Sequence, residues 1–84
     1  FAGAPAHSER PVALRGLSER ELEVVRLVAR GLTNAEAARE LHLSEATVKT
    51  YLSRLMTKLA VRDRVQVAVL AYESGLVQPG QATS

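Results

Sequence analysis

LSEATVKTYLSRLMTKLA, residues Leu43 to Ala60, carries two patterns at once. Placed on a helix, Val48, Leu52, Leu55 and Leu59 recur at three- and four-residue steps and form one apolar stripe. The opposite side holds Ala46, Thr50, Ser53 and Thr57, with Lys49 at one margin and Arg54 and Lys58 at the other. A helix that merely faces water usually carries longer charged side chains, often as Glu–Lys pairs. Here no acid occurs from Ala46 to Arg62. One side of this helix belongs in a core. The other is small, polar and bordered by cations, a surface suited to a groove lined with phosphate.

Working outward, the segment before it ends in a tight link, His42-Leu43-Ser44. His tolerates positive φ better than most residues other than glycine. Ser44 is placed to cap the helix, and Leu43 and Val48 to staple it. Upstream, Thr33-Asn34-Ala35-Glu36 reads as a capping box opening a two-turn helix whose inner face is Ala37, Ala38 and Leu41. Two helices joined by three residues must turn sharply, the geometry of a helix-turn-helix. Further back, Ser18-Glu19-Arg20-Glu21 is another capping box, with Leu17 and Leu22 at staple positions. Gly31 ends that helix where a left-handed residue is wanted. Downstream, a fourth helix begins near Asp63, with Gln66 at the reciprocal position, and runs to about Ser74 before Gly75. Val67, Ala68 and Ala71 suit its core face. Val65, Val69 and Tyr72 form a second stripe, more than one core face requires. The expected fold is all-α, a compact four-helix domain with a central helix-turn-helix.

Residues 1–16 read as a largely flexible interdomain linker, with Pro5, Pro11, small residues and no periodicity. Residues 17–77 form the domain, and residues 78–84 a frayed polar tail. A chain that opens on a linker is expected to be cut from a larger protein.

Eighty-four residues allow one domain and a modest core. The absence of Cys excludes disulfides and thiolate zinc sites. The longest apolar run, Val67 to Tyr72, is far short of the roughly 20 residues a spanning helix needs. With no secretion signal either, the expected compartment is the cytoplasm. Net charge is only +2, but its distribution is uneven. Residues 17–45 hold four basic and six acidic residues, whereas residues 46–64 hold five basic and one acidic. Cations concentrated on one segment make an electrostatic footprint for a polyanion, although a charge-asymmetric surface with no partner has the same composition. His7 and His42 have no second His or Cys at ligand spacing, so no metal is expected. No phosphate-cradling Gly loop or paired catalytic carboxylates appear, which argues against an enzyme, and no cofactor is implied.

Taken together, the run LSERELEVVRLVARGLTNAEAARELHLSEATVKTYLSRLMTKLAVRDRVQVAVLAYESGLV resembles the LuxR/FixJ/NarL-type DNA-binding domain. The resemblance rests on Leu17-Ser18 with Arg20-Glu21, the Ala29 and Gly31-Leu32 helix end, Asn34 with Glu36, Ala38, Leu41, Leu43-Ser44, Thr47-Val48-Lys49, Lys58-Leu59, Arg64 and Gly75-Leu76. It covers residues 17–77 without gaps. It implies that the third helix, about residues 45–60, enters the major groove of double-stranded DNA while the second braces it. The fourth helix would mediate a homodimer on DNA, through Val65, Val69 and Tyr72. The resemblance also implies a preceding receiver or sensing domain and action alongside RNA polymerase, as in a response regulator of a two-component system.

Carried over by position, Lys49, Thr50 and Ser53 would face base edges, and Thr33, Asn34, Ser44, Thr47, Arg54 and Lys58 would lie near phosphates. Tyr51 stands where His is frequent, and its hydroxyl is still able to reach a phosphate. Ala37 replaces a larger aliphatic residue, so helix 2 packs closer or leaves space. Ala60 replaces a frequent Gly, so the end of helix 3 is expected to turn less sharply. Two other readings stay open: a sigma-factor-like promoter-reading domain acting within RNA polymerase, and a helical protein-interaction module without DNA.

Overall fold

In the computed structural model, which describes residues 12–78, four helices follow a single 3-10 turn at Val12–Leu14. They are α1 (Glu19–Ala29), α2 (Asn34–Leu41), α3 (Glu45–Leu59) and α4 (Arg64–Glu73). No strand occurs among the described residues. Each start is fixed by the side chain expected from the sequence. Ser18 Oγ accepts from the Glu21 N–H (3.1 Å), and Glu21 Oε1 accepts from the Ser18 N–H (2.8 Å). Thr33 and Glu36 repeat the pattern at α2 (3.1 and 2.8 Å). Ser44 caps α3 by accepting from the Thr47 N–H (3.1 Å). Asp63 caps α4 by accepting from the Gln66 N–H (3.0 Å), but Gln66 returns its bond one residue early, to the Arg62 N–H (2.7 Å).

Three helix ends share one stop. Gly31, His42 and Ala60 each lie in the left-handed region (φ 90°, 58° and 58°). At each, the N–H of the following residue reaches a carbonyl five residues back: Leu32 to Leu27, Leu43 to Ala38, Val61 to Met56. Ala60 therefore turns the chain as sharply as a glycine would. This corrects the expectation of a looser end to α3: two hydrogen bonds from the turn hold the residue there, and the strain of its Cβ is tolerated.

The core divides into two clusters. The larger gathers Leu22, Val24, Val25 and Val28 of α1, Leu52 and Leu55 of α3, and Val67 and Ala71 of α4. Leu14, Leu17 and Val77 close its ends. The smaller cluster is the interior of the helix-turn-helix: Leu27, Ala37, Ala38 and Val48, flanked by Leu32, Leu41 and Leu43. Ala37 is almost fully covered and packs with Leu27, Ala38 and Val48.

The linker reading of residues 1–16 needs correcting at its C-terminal end. Leu14 is wholly buried, and the Leu17 N–H bonds its carbonyl (3.1 Å). The physical reason is spacing: Leu14 lies three residues before Leu17, on the same side of a tight turn, and enters the same cluster. Residues 1–11 of the expected linker and residues 79–84 of the expected tail lie outside the described residues. No helix among the described residues is long and apolar enough to cross a membrane.

Candidate nucleic-acid interface

Burial on α3 follows its register. Val48, Leu52 and Leu55 are buried, whereas Ala46, Lys49, Thr50, Ser53, Arg54 and Thr57 are exposed. Packing of the apolar stripe against α1 and α2 thus holds the small polar face outward. Lys49, Thr50 and Ser53 are brought together on that face. Lys49 and Arg54 have no ion-pair partner among the described residues.

The three outward residues offer different chemistry. Thr50 Oγ1 donates to the Ala46 carbonyl (3.1 Å), one turn back in the same helix. Its only hydroxyl proton is committed, which leaves a methyl group and acceptor lone pairs for an incoming group. Thr57 is engaged the same way with the Ser53 carbonyl (3.1 Å). The Ser53 hydroxyl has no hydrogen-bond partner among the described residues, so it remains both donor and acceptor. Lys49 supplies a mobile ammonium with three donors.

The residues expected near phosphates fall into two groups. Thr33, Ser44 and Thr47 lie at the N-termini of α2 and α3, and their hydroxyls serve as caps or cap partners: Thr33 and Ser44 accept from backbone N–H groups, and Ser44 Oγ also bonds Thr47 Oγ1 (2.8 Å). Capping uses the oxygen as acceptor and is compatible with an anion at the helix end. Asn34 stands at the first position of α2, where its Oδ1 accepts from Arg64 Nη1 (2.8 Å). Arg54 is exposed and available.

Tyr51 and Lys58 each also make a contact within the fold. Tyr51 is half-buried, with its ring packed against the larger core cluster. Lys58 Nζ donates to Glu21 Oε1 (2.8 Å), across 37 residues of sequence. Glu21 is the one buried charged residue of the described core, at 3% exposure. Burial raises its pKa, but the Lys58 hydrogen bond, the Ser18 N–H and the Lys58 charge outweigh burial and bring the carboxyl below the usual Glu range. Lys58 therefore fastens the end of α3 to the start of α1. One of its three N–H donors is engaged there.

On α4, Val65 and Val69 are exposed (67% and 47%), as the second stripe requires. Tyr72 departs from that stripe. It packs against the core, and its hydroxyl donates to the Ala29 carbonyl (3.2 Å), because its long side chain reaches back across α1. Arg64, at the first position of α4, makes no ion pair among the described residues. Instead, its guanidinium spans the α1–α2 junction: Nη1 to Asn34 Oδ1 and Nη2 to the Leu32 carbonyl (2.7 Å). Sequence reasoning missed both this link and the Lys58–Glu21 pair. Neither has a local signal, since the partners lie 30 or more positions away. A shallow hollow beside α2, lined by Arg30, Leu32, Glu36, Arg39 and Glu40, mixes both charge signs with a single aliphatic residue. No group of three or more potential metal ligands occurs among the described residues.

Comparison with known proteins bears directly on this arrangement. Residues 15–71 match the family described as bacterial regulatory proteins, luxR family. The chain is 44% identical over 68 residues to the transcriptional regulatory protein LnrK of Bacillus subtilis, covering 81% of this chain and 31% of that protein. It is 42% identical over 62 residues to the response regulator protein VraR of Staphylococcus aureus, covering 74% and 30%. The same figures hold for VraR of Staphylococcus epidermidis. The chain thus spans a little under a third of the length of these relatives. The matched region contains α1 to α3 and most of α4, and with them every element that shapes the outward face of α3. On sequence and fold alike, this chain belongs to the luxR family of bacterial regulatory proteins, a family of DNA-binding transcription regulators and not of enzymes.

Proposed function

We propose that this chain reads double-stranded DNA with α3 in the major groove, as the recognition element of a cytoplasmic transcription regulator. One observation carries the reading: from Ala46 to Leu59 the exposed side of α3 is small, free of acids, and flanked by Lys49 and Arg54, which have no ion-pair partner among the described residues. A helix enters the major groove, about 12 Å wide, only if its facing side chains are small or reach base edges. Thr50 and Ser53 meet the first condition and Lys49 the second. Thr33, Asn34, Ser44 and Thr47 surround two helix N-termini, whose N–H groups and partial positive charge suit phosphate oxygens. Arg54 adds charge and counterion release. The α4 valines form the contact between two copies on paired half-sites. In the longer protein, a receiver or sensing domain precedes this chain, and RNA polymerase is the ultimate partner.

The test is selection of bound sequences from a random duplex pool, followed by a salt titration of the winner. The expected result is an enriched half-site and an affinity that falls log-linearly with salt. Repeating the selection with Lys49→Ala relaxes preference at one position and costs about 1–3 kcal/mol there. Affinity that ignores salt would instead favour an apolar protein interface, and a pool without enrichment would leave no sequence reader.

A further inference from the structure

Arg64 is a basic residue on α4 whose guanidinium is spent inside the molecule, at the start of a different helix. Nη2 donates to the Leu32 carbonyl at 2.7 Å and Nη1 to Asn34 Oδ1 at 2.8 Å. The two acceptors bracket Thr33, the cap of α2. Neither contact is needed to start α2, because the Thr33–Glu36 capping box already does so. What the contact with Asn34 fixes is an orientation. Guanidinium has only donors. Asn34 must therefore turn its carbonyl oxygen toward Arg64, and its amide NH2 is forced the other way. That NH2 has no partner among the described residues. Asn34 is half-exposed, so the amide keeps access to solvent.

We propose that Arg64 is a positioning residue for DNA binding: it locks the Asn34 amide with its NH2 outward, as a donor to a backbone phosphate at the start of α2. The inference rests on the DNA-binding reading above and adds a residue that touches no DNA itself. Without Arg64, the amide rotates freely and presents oxygen to the phosphate part of the time, where it repels. The arrangement also explains the choice of Arg over Lys. A Lys ammonium has donors enough for the Leu32 carbonyl and the Asn34 oxygen, but they rotate on a flexible stem, whereas a planar fork fixes both directions.

The experiment is a double-mutant cycle on the 84-residue chain, using the duplex enriched from the random pool. Thermal unfolding is measured in parallel. Asn34→Asp keeps an oxygen for Arg64 and removes the NH2. It should keep the unfolding midpoint and lose at least about tenfold in DNA affinity. Arg64→Met should lose about fivefold, and Arg64→Lys should restore only part of that. In the Asn34→Ala background, Arg64→Met should cost nothing further in affinity, because its effect passes through the amide. The Asn34 side-chain NH2 resonances should be sharp and separated in the wild-type chain and should move on Arg64→Met. The proposal is overturned if Arg64→Met costs the same affinity with and without Asn34, or if Asn34→Asp binds as well as wild type. A wild-type chain that enriches no duplex would remove the DNA reading itself, and the positioning role with it. Salt-sensitive wild-type binding with an additive cycle would remove the positioning role alone.

Discussion

Thr50 shows how a single hydrogen bond sets what a side chain can say to a ligand. Its hydroxyl proton is held by the Ala46 carbonyl, so the outward features are a methyl group and oxygen lone pairs. If the methyl meets a thymine methyl in the groove, Thr50→Val should keep affinity, since it preserves the shape and frees the helix of the back-bond. Thr50→Ala should lose about 0.8 kcal/mol, the contribution of one buried methyl-sized group. Binding titrations on the selected duplex check both. A large loss in Thr50→Val would show that the hydroxyl oxygen is the recognised atom. Ala60 is the complementary case, a residue whose backbone angle works against it. It sits at φ 58°, where an L side chain costs about 1–2 kcal/mol. Ala60→Gly relieves that strain but adds freedom to the unfolded chain, worth about 0.4–1 kcal/mol in the other direction. The net expectation is stabilisation of up to about 1 kcal/mol, read as a rise of a few degrees in the unfolding midpoint. An unchanged or lower midpoint would mean the turn holds Ala60 without strain.

At the scale of elements, α3 has two tasks, and its cations divide between them. Lys58 ties the helix to α1 through Glu21, while Arg54 stands in solvent. Lys58→Met should therefore lower stability by about 2 kcal/mol, because it leaves a buried carboxylate short of its partner; that figure is below the range for fully buried pairs, since the Lys58 side chain is 45% exposed. It should scarcely change the salt slope of DNA binding. Arg54→Met should do the reverse, reducing the log–log slope by about 0.9 while leaving the unfolding midpoint alone. The pair also makes a pH prediction. The carboxyl of Glu21 has its pKa lowered in the folded state, burial opposing and Lys58 and Ser18 prevailing. The unfolded chain then takes up the proton first, so stability is full above the ordinary Glu range and falls as acid titrates the folded carboxyl. Glu36, lowered by the Thr33 backbone and hydroxyl bonds, acts in the same direction. Glu21→Gln should flatten the acid limb of the stability profile below about pH 4–5, and cost about 1–2 kcal/mol at neutral pH. Denaturant unfolding across pH checks it, and an unaltered acid limb would place the titrating group elsewhere. These contrasts also explain what the sequence revealed. Helix starts were legible because Ser18, Thr33, Ser44 and Asp63 act within three residues of themselves. The outward face of α3 was legible because burial follows a local period. The partners of Lys58 and Arg64 were not, because a cation's destination depends on how α1, α2 and α4 pack, and spacing along the chain does not encode it. Leu14 sits between: its three-residue step to Leu17 was visible, but Pro11 and Gly16 on either side made the stretch read as linker.

Among the described residues, Val65 and Val69, one turn apart on α4, form an apolar patch that the fold does not use; Val12, outside the four helices, is exposed as well. With Tyr72 withdrawn into the core, that patch is narrow. Burying a valine contributes about 1.5–3 kcal/mol, and only the exposed part of each is still to be gained. Association of two free chains costs about 4–15 kcal/mol in lost freedom. Two valines on each copy therefore barely offset that cost, and the chain should be a monomer in dilute solution. DNA changes the balance. Two half-sites about 10 base pairs apart hold two copies side by side on one face of the duplex, and the second encounter becomes intramolecular, at high effective concentration. A small patch is then enough to give cooperativity. Val69→Glu places a charge in the centre of that contact, opposite its own copy. Because Val69 is half-exposed, the substitution should leave helicity and single half-site affinity unchanged. Occupancy of paired half-sites should lose its cooperativity, about tenfold in the second binding step. Circular dichroism, a single half-site duplex and a paired duplex separate these effects. Cooperativity that survives Val69→Glu would mean that the two copies meet through another surface, or that the duplex alone couples them.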